Sequence, residues 1–227
     1  MGLISKLAAV VRGTATKDYA TDSEESQLAG NNRGDLSVAL GLPPLTELVR
    51  LGGSYQVAAG GVQAALTTEP TTTAGLTIYN GGADDGVSYA IDSVAVWERV
   101  VDATQQNQLA LFAMLNNRND AAPSGGTALT SATAVKSLSG RQGYSGAAVV
   151  RRGGTVADNG WFPVGDSVAG AATVAGGAWR VHDVSLKGLF LVPPKCAFSV
   201  QAAKVAATAS QLNFVIRWHE VQLDYLS

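Results

Sequence analysis

The chain has one cysteine, two histidines and two methionines among 227 residues, and only 15% of its residues are charged. Globular domains usually carry about a quarter. With Cys196 alone, an intrachain disulfide and a thiolate metal cluster are both excluded, and a reducing place of synthesis fits best. His182 and His219 have no close ligand spacing with that cysteine, so no metal is expected. No glycine-rich loop ends in Gly-Lys-Ser/Thr and no dinucleotide fingerprint follows a strand, so no cofactor is expected. Lys and Arg number 16 against 18 Asp and Glu, with no long run of either sign, which argues against nucleic acid as a partner. No apolar stretch approaches the roughly 18 residues a membrane helix needs. Near the start, Lys6 cuts the one leader-like run to Leu7–Val11. The expectation is a chain made in the cytoplasm, with no membrane partner.

What the sequence does have is small side chains. Hydrophobic residues make up 46% and glycines number 26, with the apolar share drawn mainly from Ala and Val. Such a core buries less area per residue, which favours support from neighbouring subunits.

The first 60 residues differ from the rest. Residues 13–35 are polar, rich in Gly, Ser, Thr, Asn and Asp, and follow no period. Alone they cannot bury enough apolar surface to offset their ordering entropy. Pro43 and Pro44 can then open a short helix near 44–51, with Leu45, Leu48 and Val49 on one stripe and Gly52 as its stop. Residues 1–60 therefore read as an extended arm. Leu36, Leu42, Leu45, Leu48, Val49 and Leu51 are its candidate partner-binding residues.

From residue 61 onward the pattern is β. Alternation and β-branched content predict strands over 62–68, 75–80, 87–99, 107–116, 145–151, 179–192, 197–205 and 212–224. No long amphipathic helix interrupts them. This predicts a mainly β protein, an antiparallel β-sandwich of jelly-roll or Greek-key type over 61–227, with long crossings at 117–143 and 152–178. In the last strand, Phe214, Ile216 and Trp218 alternate with Val215, Arg217 and His219. After Glu220 the preference flips to Val221, Leu223 and Tyr225, which suggests a bulge or a second packing surface. Trp218, Val221, Leu223 and Tyr225 are accordingly the candidate subunit interface.

Catalytic arrangements do not emerge. Ser167 in "GDSVAG" lacks the setting of a nucleophile elbow, His182 reads as a strand residue, and His219 and Glu220 fall on opposite faces. Asp84 and Asp85 lack calcium-loop spacing and read as a hairpin turn. Cys196 after Pro193, Pro194 and Lys195 reads as a small buried hydrophobe, and Arg151 with Arg152 as a solvated turn or a contact to an acidic neighbour. The Arg33–Asp35 tripeptide is a chance match. Trp97, Trp161, Trp179 and Trp218 read as core or interface, with a sugar-binding face as the alternative.

The whole layout resembles virion structural proteins of tailed bacteriophages, in particular head decoration (cement) proteins. The resemblance is carried by the arm, the "LPPLTELVRLGGSYQ" junction, and a tail, "VPPKCAFSVQAAKVAATASQLNFVIRWHEVQLDY", similar to the last hairpin of phage jelly-roll proteins. It implies a non-enzymatic capsid-stabilising role on the virion surface, the major capsid protein as partner, and a homo-oligomer, a trimer. The alternatives are another virion part (tail, portal-adaptor or head-fibre) or a carbohydrate-binding module for host attachment.

Overall fold

The computed structural model describes Val49 and residues 52–61, 63–84, 86–100, 109–140, 143–165, 180–204 and 211–221. The chain divides into Met1–Thr46 and Glu47–Ser227, and every described residue belongs to the second unit. Its elements are β1 (Ser54–Ala58), β2 (Gln63–Ala64), β3 (Leu76–Asn80), β4 (Ser88–Val100), β5 (Leu109–Asn116), β6 (Thr127–Leu129), α1 (Ser131–Ala134), β7 (Val135–Ser137), β8 (Ala148–Arg152), β9 (Phe162–Pro163), β10 (Arg180–Val192), β11 (Ala197–Lys204) and β12 (Gln211–Val221).

These strands form two antiparallel sheets. The first runs β10-β4-β12-β1-β7, with β2 also on β12; the second runs β6-β8-β3-β11-β5-β9. Alternation decides what each strand buries. Val94 and Val96 of β4, Phe214, Ile216 and Trp218 of β12, and Val57 of β1 join Leu76 and Ile78 of β3, Leu111 and Ala113 of β5, and Phe198 and Val200 of β11 in one core. A smaller cluster of Ala74, Met114, Val156 and Trp161 forms apart from it, with the Trp161 indole N–H donating to the Thr71 carbonyl at 2.6 Å.

Three expectations are corrected. Residues 54–58, placed in the arm, are strand β1, paired to β12 on one side and β7 on the other. The short stretch between two glycine pairs carries too little alternation to read as a strand, and the flanking ladders make Ser54–Ala58 one. Residues 80–86 contain a turn, with Gly86 N–H donating to the Ala83 carbonyl, but no hairpin: they lead from β3 in one sheet to β4 in the other. The expected terminal hairpin is likewise absent, because β11 pairs with β3 and β5 while β12 pairs with β4 and β1. Alternation identifies a strand and its inner face but is silent about its partner.

Two irregularities position side chains. Strand β4 carries an extra residue against β12 at Asp92, so the register steps from Arg217–Ser93 to Trp218–Ile91. A bulge of this kind re-aims a side chain. Up to Val221 the strand β12 keeps its own alternation, so Glu220 stays on the side of Trp218; the flip expected after Glu220 falls on residues outside the described ones. On β10 the register breaks between Ser185 and Phe190, where Lys187 and Gly188 both take positive φ. Elsewhere Gly75 lets the chain pass against the Phe214 ring, and a Cβ there would overlap it.

Of the expected arm contacts, only Val49 lies within the described residues. It is half-buried, and its carbonyl accepts from Gly52 N–H at 3.0 Å. Leu36, Leu42, Leu45, Leu48 and Leu51 lie outside them, as do Arg33–Asp35 and the helix expected near 44–51 apart from Val49, which is helical.

Candidate functional site

His219 acquires an unexpected pair of neighbours. Its Nδ1 is 2.6 Å from Ser54 Oγ on β1, and its Nε2 is 3.9 Å from Asp92 Oδ1 at the β4 bulge. A serine, a histidine and an acid therefore stand in line, drawn from three strands. The order suits a structural knot better than a nucleophile: Ser54 is wholly buried, so its hydroxyl cannot reach a substrate. Burial also holds the His219 pKa below the ordinary histidine value, with Asp92 opposing that shift.

On the core side of the same strand, Tyr144 Oη donates to Glu220 Oε1 at 2.9 Å and accepts from the Ala148 N–H at 3.0 Å, with Tyr89 Oη 3.3 Å away. Tyr55 meets Tyr144 edge-on at 4.9 Å, and Trp218 lies about 6 Å from Tyr55, Tyr89 and Tyr144. Burial raises the Tyr89 and Tyr144 pKa values, and it raises that of Glu220 despite the Tyr144 hydrogen bond. Gly146 closes this cluster, since a Cβ there would strike the Tyr144 hydroxyl and approach Glu220.

The two shifts tilt stability in opposite directions. A carboxyl whose pKa is raised on folding contributes stability that is complete below its ordinary value of 4.5 and lost as pH rises through the folded value. The lowered His219 contributes stability that is complete above 6.5 and lost as pH falls below it. Glu220→Gln keeps an acceptor for Tyr144 and removes the charge. Its thermal unfolding midpoint should exceed wild type at about pH 8, and the difference should vanish at about pH 4. An unchanged or lowered midpoint at the higher pH would contradict the burial argument.

At the far end of the core a buried ion pair bridges the sheets. Lys204 Nζ of β11 lies 2.7 Å from Glu98 Oε1 of β4, and both side chains are at most 1% exposed. Its members are 106 positions apart, and no sequence pattern announced it.

Among the described residues, two concavities stand out. A cleft of about 400 Å³ is lined by Pro193, Pro194, Cys196 and the Arg118–Asp84 ion pair. Burial pushes the Cys196 thiol pKa up, which fits the expected small hydrophobe. A groove of about 420 Å³ lies on the first sheet, lined by Gln56, Ala58, Trp97, Lys136, Val215 and Arg217 among others. Arg217 donates through Nη1 to both Asp183 carboxylate oxygens (2.9 and 3.2 Å) and to Ser93 Oγ at 3.0 Å.

The remaining candidates separate. Trp218 is fully buried at the centre of the core, which corrects its assignment to a subunit interface. Val221 is half-buried at the end of β12, and Leu223 and Tyr225 lie outside the described residues. Trp161 is buried against Ala74, Met114 and Val156, which leaves little of its face for a sugar; Trp179, Ser167 and Asp85 lie outside the described residues. His182 is a buried strand residue. Arg151 and Arg152 end β8 rather than forming a solvated turn, donating to the Gly125 and Ala59 carbonyls at 2.8 and 3.3 Å. Among the described residues, no three His, Cys, Asp or Glu side chains group to hold a metal, and no helix is long and apolar enough to cross a membrane.

A scan against protein-family models finds no match, and a search of curated proteins finds no significant relative.

Proposed function

We propose that this chain is a non-enzymatic virion structural protein: a β-sandwich of Greek-key or jelly-roll type that binds and stabilises a phage capsid shell. In this reading it is made in the bacterial cytoplasm and resides on the capsid surface. Its leading arm contacts the major capsid protein, and the sandwich self-associates as a trimer. The observation that carries the reading is the exposed apolar surface on edge strand β10. Leu189 and Leu191 are 76% and 40% exposed at one end, and Val181 is 62% exposed at the other, beyond the exposed Asp183, Ser185 and Lys187; the three make up most of the five exposed large hydrophobics among the described residues. Exposed large apolar side chains on an edge strand invite cover by another chain. The polar tract 13–35, which cannot form a core by itself, suits a segment that orders against partners.

The test is a deletion of residues 1–46. The cut spares Gly53, whose carbonyl accepts from Glu220 N–H, and β1 behind it. The shortened protein should unfold at the same midpoint as the full chain, yet fail to cosediment with shells of its own phage's coat protein. Equal cosedimentation of the two forms would refute the arm's role. Copy number in purified particles separates this reading from a tail, portal-adaptor or head-fibre part, because a cement protein matches the shell lattice in abundance.

A further inference from the structure

The groove on the first sheet presents a chemistry that capsid binding does not use. Its floor includes Ala58 and Val215, which face each other across the β1–β12 ladder, and Trp97 of β4 contributes to its lining. Around this apolar base stand three polar side chains. Arg217 makes all its described bonds through Nη1, which leaves Nη2 and Nε to donate. Lys136 is exposed, and Gln56 brings an amide. No carboxylate is among the lining residues, although the whole chain carries a net charge of −2. The nearest acid to the guanidinium, Asp183, is spent on Nη1 and steadies it from the side.

We propose that this groove binds a carboxylate-bearing sugar, a uronic or sialic acid unit of a glycan. A guanidinium and an ammonium beside one cavity select an anion, and the planar fork of arginine matches a carboxylate. An indole accepts the apolar C–H face of a pyranose ring, and an amide serves its hydroxyls. The volume falls within the range of small-ligand sites, about 300–1,000 Å³. The alternative of an acidic peptide is disfavoured by where the groove lies. A peptide gains affinity by adding to a free strand edge. Here β4, β12 and β1 each have both edges paired, and Lys136 on the end strand β7 is bridged to Gly143 on its outer side, so the floor offers side chains in place of a free ladder. This inference stands apart from the capsid role, and a failure of either leaves the other intact.

Isothermal titration of the full chain decides it, using trigalacturonic acid, sialyllactose and the carboxyl-reduced form of each. At least one acidic probe should bind at least tenfold more tightly than its reduced form. Arg217→Met and Trp97→Ala should each weaken that binding at least tenfold. The exposed substitution Lys136→Met should weaken it several-fold without moving the thermal midpoint, which keeps the test readable if a strand variant folds poorly. Equal affinity for acidic and reduced forms, displacement of the sugar by an oligoglutamate peptide, or no binding of any probe at millimolar concentration would overturn the proposal.

Discussion

Lys204→Met should lower unfolding stability in urea by about 3–5 kcal/mol. The ammonium sits 2.7 Å from Glu98 Oε1, where neither side chain exceeds 1% exposure, so removing it deletes the charge that offsets much of the desolvation of a buried carboxylate. Both residues face inward by the alternation of their strands, Lys204 following Val200 and Ala202 on β11 and Glu98 following Val94 and Val96 on β4. The pair as a whole is worth far less than the cost of breaking it, because desolvating two charges offsets most of their attraction. Glu98→Leu combined with Lys204→Met should therefore recover most of the loss. A double variant as unstable as the single one would mean that the pair's packing, and not its charge, is what matters.

Trp218→Ala should cost a similar amount, about 3–5 kcal/mol, through the cavity left in the core. The indole is wholly buried and contacts three tyrosine rings, at 5.8 Å from Tyr55, 5.9 Å from Tyr89 and 6.1 Å from Tyr144. Those tyrosines also carry the hydroxyl network that ends on Glu220, so a collapse at Trp218 should disturb the near-UV circular dichroism as well as the midpoint. Trp218→Phe is the informative companion. Trp218 Nε1 is buried without a hydrogen-bond partner, and phenylalanine deletes that orphan donor while keeping most of the aromatic volume. Its loss should be small, about 1 kcal/mol, because relief of an unpaired donor offsets part of the lost packing. Equal losses for the two substitutions would place the indole N–H, and not the ring volume, at the centre of the effect.

Long strands were legible because their side chains alternate. Residues 87–99, 107–116, 179–192 and 197–205 each carried a stretch of period-two pattern, and β4, β5, β10 and β11 lie there to within two residues at each end. Strands β6, β7 and β9 have three residues or fewer, shorter than any period can declare, and they exist because a neighbouring ladder receives them. Strand β1 has five residues, as β3 and β8 do, and it was not legible because it lies between glycine pairs and buries only Ser54 and Val57, where β3 buries four of its five residues. The Ser54–His219–Asp92 line was out of reach for another reason. Ser54 and His219 are 165 positions apart, and Asp92 arrives only because β4 carries one residue more than β12 at that point. The groove cations, Lys136 and Arg217, belong to strands that are not neighbours in the sheet, with β1 between them.

The sequence by itself determined that this is a mainly β chain, which face of each long strand is apolar, and that a polar leading segment cannot form a core alone. Those are properties of short stretches, fixed by the period of the backbone and the solvation of each side chain. Tertiary structure decided which strand pairs with which, where the bulge aims Asp92, and that Glu98 meets Lys204 and Gln56 meets Arg217. Such meetings join residues far apart in the chain, and only the closing of two sheets on a common core selects them.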